Sequence, residues 1–157
     1  MSITITDGIT VITLPYELVW IDEYTWNQTI QNKRFTVGGI MILESSTYQD
    51  QAGRPITLYD EDAWIVKSDL DTLASWADQN KQMVLELHDG STFNIGWRYQ
   101  DPPVIEAEPV IKKAEQDDTD EYIVSLKFHI NPATTPQTVT TTTSTTSSTS
   151  TTTTTTP

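Results

Sequence analysis

The chain contains no cysteine and only two histidines in 157 residues. Disulfides, thiolate metal sites and a cysteine nucleophile are therefore excluded, while the redox compartment is left open. Histidine is the usual general base near neutral pH. Here it is confined to His88 and His129, and neither lies beside a Ser-Gly nucleophile elbow. Positive charge is scarce as well: nine Lys and Arg stand against 22 Asp and Glu, a formal net charge of −13. Such a surface repels phosphate backbones, so specific nucleic-acid binding is not expected, and it favours solubility. No run approaches the roughly 20 apolar residues of a membrane helix, so no membrane insertion is expected. The opening "MSITITDGIT" lacks a basic region and a long apolar run, and no secretory signal is expected from it. A phosphate-cradling glycine loop and metal-ligand spacing are also missing. On these grounds no catalytic, cofactor-binding or metal-binding residue is assigned, and an enzyme is not expected.

What is present divides the chain in two. Residues 1–131 carry all the charge and nearly all the apolar mass. That suffices for one domain with a single core and is too little for two. Residues 132–157 are Thr and Ser with a few Pro and others. This low-complexity tail has too little apolar mass to offset the entropy of ordering, so it is expected to be disordered.

Within 1–131 the period-two signal dominates. "ITIT" (3–6) and "ITVITL" (9–14) flank Asp7-Gly8, a hairpin signal. A three-residue loop there would set Ile5 opposite Ile9 and Ile3 opposite Val11. "RFTVGGIMILES" (34–45) reads as one long strand bent or bulged at Gly38-Gly39. "RPITLY" (54–59) and "AWIVK" (63–67) read as a pair around the acidic tip Asp60-Glu61-Asp62. "QMVLELH" (82–88) and "STFNIGWRY" (91–99) surround Asp89-Gly90. A two-residue turn there would put Leu85 and Phe93 on opposite faces. A three-residue loop, His88-Asp89-Gly90, sets Leu85 opposite Phe93 and Met83 opposite Ile95, which keeps the apolar set together. "VIEAEPVI" (104–111) and "YIVSLKFHI" (122–130) complete the domain.

One helix is expected, over about 68–80. Ser68 is a candidate N-cap with Asp71 three residues on, and Leu70, Leu73, Ala74 and Ala77 form the apolar stripe with Trp76 at its edge. Residues 21–33 show no period and read as a long connection, with room in it for a short irregular strand. The expected fold is mainly β: a β-sandwich or partly open barrel of about eight or nine strands with this helix packed across it.

The residues that could carry chemistry are few. The acidic runs "DED" (60–62) and "DDTDE" (117–121) lack the alternating acids and following glycine of a calcium loop, and read better as solvated tips. Trp64, Trp76 and Trp97 fall in regular elements and are expected in the core. Trp20 and Trp26 bracket "IDEYT" in the irregular stretch, where they either pack on their own domain or anchor a partner. Arg54 is the sole cation between Arg34 and Lys67, placed to bind a carboxylate or to satisfy local acids or carbonyls. Trp20, Trp26 and Arg54 are the candidate interface residues.

The order of landmarks carries a resemblance. "LPYELVWIDEYTW" is followed by "FTVGGIMILES", "AGRPITLYDEDAW", the helix "SDLDTLASWA", "LELHDGSTFNIGWRY" and a final "YIVSLKFHI". Over roughly 14–130 this resembles small tail-tip or baseplate structural proteins of long-tailed, siphovirus-type bacteriophages, similar to distal tail ring proteins. The resemblance implies a tail-tube-like core without enzyme activity or cofactor, made in the host cytoplasm and built into the virion. It implies self-assembly into a ring, usually a hexamer, contacting the tail tube and tail-hub proteins around the DNA channel. An acidic lumen would let DNA pass without binding. The other reading open at this point is a carbohydrate- or receptor-binding β-sandwich module using surface aromatics such as Trp20, Trp26 or Tyr48.

Overall fold

The computed structural model describes residues 2–132, so the tail expected to be disordered lies, Pro132 apart, outside the described residues. In chain order the elements are β1 (Ile3–Thr6), β2 (Val11–Leu14), β3 (Val19–Trp20), β4 (Thr29–Phe35), β5 (Met41–Thr47), β6 (Pro55–Val66), α1 (Lys67–Asp78), β7 (Met83–Glu86), β8 (Thr92–Trp97), β9 (Ile105–Pro109) and β10 (Glu121–Ile130). Eight strands form one antiparallel sheet in the order β2-β1-β7-β8-β10-β6-β3, with β9 also on β10. The protein is thus mainly β with one helix, as its alternation indicates. The sheet starts on β2 and ends on β3, so it is not a closed barrel. Among the described residues, strands β4 and β5 pair only with each other.

Alternation explains the core. In β10, Val124, Leu126, Phe128 and Ile130 turn inward while Ile123, Ser125, Lys127 and His129 turn outward. The inward set joins Ile3 and Ile5, Ile12 and Leu14, Ile56 and Leu58, and Met83, Leu85, Ile95 and Trp97 in one cluster. Since strands from both ends of the sheet feed that cluster, the sheet must curl around it. Each fully buried side chain of this kind contributes about 1.5–3 kcal/mol. Trp97 and Phe128 are directly opposed across β8 and β10, their ring centroids 4.7 Å apart.

The Asp89-Gly90 hairpin has the anticipated register: Leu85 faces Phe93 and Met83 faces Ile95. Leu87 N–H donates to Ser91 O (2.9 Å), which closes a loop of His88, Asp89 and Gly90. Gly90 has φ +83°, a conformation that costs a residue without Cβ nothing. The Asp7-Gly8 hairpin does not follow the same rule. Ile3 faces Leu14 and Ile5 faces Ile12, so the loop has four residues, Asp7 to Thr10. The Asp7 carboxylate causes this, because its Oδ1 accepts from the N–H groups of both Ile9 (3.0 Å) and Thr10 (2.8 Å). Ile12 and Leu14 thereby face inward, and Ile9 and Val11 are exposed.

Residues 55–66 are one strand, where the sequence suggested a hairpin around Asp60-Glu61-Asp62. Both halves pair with β10: Tyr59 faces Ser125 and Trp64 faces Ile123. Asp60 to Ala63 therefore bulge out opposite a single β10 residue, Val124. Ala63 and Ile65 point into the core, so alternation turns Trp64 outward. Trp64 is 45% exposed, contrary to the core position expected of it.

Helix α1 begins at Lys67, and Ser68 does not cap it. The N–H groups of Lys67 and Ser68 donate to the carbonyls of Asp120 (2.8 Å) and Asp118 (3.1 Å), so the 117–120 loop serves as the cap. The buried side is Leu70, Leu73 and Trp76, with Ala77 partly covered and Ala74 exposed. At the other end Asn80 is left-handed (φ 50°). Asn80 N–H donates to Ala77 O, and Lys81 N–H to Trp76 O, both at 3.1 Å. This is the paired closure of a Schellman ending.

Candidate interaction site

The stretch read as a bent strand, 34–45, is instead the tip of a hairpin. The unpatterned residues before it supply the partner strand, and Thr29 to Phe35 pair in register with Thr47 to Met41. Gly38-Gly39 lies at the turn: Thr36 N–H donates to Ile40 O (2.9 Å), Gly39 N–H to Thr36 O (2.9 Å), and Gly39 has φ +79°. Seven residues per strand give an arm about 24 Å long. It joins no other strand among the described residues, and its large apolar side chains are open: Ile30, Phe35, Val37, Ile40, Met41 and Leu43 are all about half exposed or more.

The three candidate interface residues come together at the root of this arm. The Arg54 guanidinium lies over the Trp20 ring, 4.3 Å from its centroid, and 5.9 Å from that of Trp26. It donates to Glu23 O and Gln51 Oε1, both at 2.7 Å, and so satisfies local acceptors of neutral charge. Trp20 donates its indole N–H to Pro55 O (3.2 Å) and meets the Phe93 ring edge-on at 5.8 Å. Trp26 packs against Tyr48 at 5.7 Å. The two arm strands are joined at this level by Tyr48 N–H to Gln28 O and Gln28 Nε2 to Tyr48 O, both 2.8 Å. Trp20 and Trp26 are thus partly covered by their own domain, where they fix the arm to the sheet. Tyr24, between them, is the aromatic left open, at 91% exposure.

A second cluster ties the same loop down. Asp22 Oδ1 accepts from Thr57 N–H (2.8 Å), and its Oδ2 accepts from the Thr57 hydroxyl (2.7 Å) and from Arg98 (3.3 Å). Arg98 also donates to the Thr57 hydroxyl (3.0 Å) and to Asp101 (3.1 Å). Burial pushes the Asp22 carboxyl upward, but the Thr57 and Arg98 hydrogen bonds outweigh it and hold it below the usual carboxylate range. Both Asp22 carboxylate oxygens and the N–H and hydroxyl of Thr57 bond within this cluster, and the Thr57 carbonyl accepts from Ile21 N–H (3.0 Å), so the cluster holds the loop to β6. Sequence reasoning missed it because its members lie 35 and 41 residues apart.

The remaining candidates are dispersed. His88 is exposed at its hairpin tip and His129 lies on the outer side of β10. Among the described residues no group of three or more His, Asp or Glu side chains could hold a metal ion. No helix among them is long and apolar enough to cross a membrane.

Fold and site together define a mainly β domain that presents a rooted, apolar hairpin arm. Comparison of the chain with known protein families, with curated proteins and with solved structures finds no match in any of the three.

Proposed function

We propose that this is a structural subunit that assembles with copies of itself through the β4–β5 arm. We further propose that it serves in the tail tip or baseplate of a long-tailed bacteriophage, as a ring joining tail tube to tip complex around the DNA channel. The observation that carries the assembly reading is the arm: six large apolar residues held in water on a hairpin with no sheet neighbour. A two-stranded hairpin is marginal alone, and exposed apolar patches of this kind mark contact surfaces. The rooting by Arg54, Trp20 and Trp26 supports it too, since an arm held at its base loses less entropy on docking. The order of sequence landmarks supports the tail location, and the net charge of −13 suits a channel that DNA traverses without sticking.

Two measurements test these readings. Light scattering and negative-stain microscopy of the full chain should give ring-shaped oligomers, and a monomer at every concentration would count against assembly. Peptide mapping of purified tail particles from the host of this gene should recover the chain. Its absence from the particles would remove the tail reading and leave the assembly one standing.

A further inference from the structure

The arm has two unlike sides, and the register separates them. Lys33 faces Leu43 and Phe35 faces Met41 on one side, while Arg34 faces Ile42 and Asn32 faces Glu44 on the other. Glu44 pairs with Arg34 at 2.8 Å, so the arm's single carboxylate belongs to the second side. The first side offers Phe35, Met41 and Leu43 with the Lys33 ammonium 5.7 Å from the Phe35 ring. Residues 29–47 carry two cations and one acid, whereas the rest of the chain carries seven cations and 21 acids. An apolar, weakly positive arm thus projects from a strongly negative body.

One surface of that body matches it. On the outer face of β9, β10 and β6, Ile123 stands between Trp64 and Glu108, and Ser125 between Tyr59 and Glu106. Tyr59, Ile123 and Ser125, rimmed by Glu106 and Glu108, line a shallow depression of about 230 Å³. Alternation puts Glu121 on the same face, and the bulge Asp60-Glu61-Asp62 stands beside Trp64, whose indole N–H donates to Glu61 O (3.2 Å). Glu106 and Glu108 at the rim are paired with Lys127 (3.0 Å) and Lys112 (2.9 Å), and Glu121 and the acidic bulge 60–62 add four further carboxylates to the strands that carry this face. The outer face of β2, β1 and β7 is a poorer match. It shows Val11 and Val84 among threonines, with Glu86 as its carboxylate.

We propose that the Lys33, Phe35, Met41 and Leu43 side of one copy's arm seats on the Tyr59, Trp64 and Ile123 face of a second copy. This rests on the assembly reading above and names the surfaces that meet. Arm and acceptor are different parts of the chain, so the contact is head-to-tail, and repeating it closes a ring or extends a filament. The long-range charge match favours encounter in this orientation and penalises arm against arm.

The full chain has no cysteine, so introduced thiols report the contact directly. Met41→Cys and Ser125→Cys variants, mixed and treated with a short bismaleimide, should give at least tenfold more linked dimer than either variant alone. Lys33→Glu should weaken self-association roughly tenfold and Lys33→Arg should leave it unchanged, with added salt weakening the wild type. Circular dichroism matching the wild type would show that the variants fold. If the chain assembles but linking is dominated by Met41→Cys with itself, or the mixed pair fails to link, the proposed surfaces are wrong and assembly proceeds elsewhere. If the wild type stays monomeric throughout, the assembly reading fails and takes this inference with it.

Discussion

Strands β8 and β10 and the hairpin β4–β5 draw on the same residue types and the same alternation. Ile95, Trp97, Phe128 and Ile130 are at most 4% exposed, whereas Ile30, Phe35, Ile40 and Leu43 are 48% to 69% exposed. The difference lies in what stands across from them. Each core strand has neighbours on both edges and a face turned into one shared cluster, while the arm has only its own second strand. Period-two patterning therefore reports that a strand will have an apolar side. It does not report whether that side is covered by the same chain or left for another.

The largest expected effects fall on the sheet. Trp97→Ala should cost about 3–5 kcal/mol in urea unfolding. Phe35→Ala on the arm should stay within about 0.5 kcal/mol. Equal losses at the two sites would mean the arm is part of the cooperative core. Next comes the cluster that holds the loop beneath the arm. Asp22→Ala leaves the Thr57 N–H and hydroxyl without their carboxylate acceptor and removes one of the three acceptors of Arg98, for a loss of about 2 kcal/mol. A change near zero would show the loop to be held by its aromatics alone.

Acid sharpens the comparison at the far end of the sheet. Lys81 donates to Asp7 Oδ2 at 2.6 Å, and with the N–H groups of Thr10 and Ile9 it lowers the Asp7 pKa from 3.8 to about 2. A carboxyl depressed on folding stabilises the folded state above its ordinary pKa, and that contribution is lost as pH falls from about 4 towards 2. Stability measured from pH 5 to 2 should fall less steeply in Asp7→Asn than in wild type, and parallel curves would count against this pair. A small effect, like that of Phe35→Ala, is expected for the arm as a whole. Replacing 29–47 by a short Gly-Ser link between Gln28 and Tyr48, already bonded at 2.8 Å, should shift body stability by less than about 1 kcal/mol. A collapse of the fold on excision would show that the arm stabilises its own domain.

How far the fold was legible depended on loop chemistry. The Asp89-Gly90 register could be read because a three-residue loop puts Leu85 and Phe93 on the same face and a two-residue turn does not. The Asp7-Gly8 loop carries the same dipeptide, yet the Asp7 carboxylate gathers two N–H groups and lengthens the loop by one residue. Ile12 and Leu14 held the clue, being the apolar pair that a four-residue loop brings inward. Gly38-Gly39 between β-branched runs was an available hairpin signal. It was obscured because the preceding strand, "TIQNKRF", has no alternation of its own, as fits a strand exposed on both faces.

Of the candidate site, Trp20, Trp26 and Arg54 were legible as individuals but not as one stack, since Arg54 reaches Glu23 O from 31 residues away. The Asp22–Thr57–Arg98 cluster left no local pattern at all.

The sequence by itself determined the mainly β character, the single helix, the lack of any thiol chemistry and the strong negative charge, because composition and short-range period settle those. Tertiary structure alone decided that 55–66 is one bulged strand and that 29–47 stands free. The first turns on β10, some 60 residues further along the chain, offering an edge to both halves of the segment, the second on the arm pairing with no other described strand, and edge pairing is a contact between distant segments that no local pattern records.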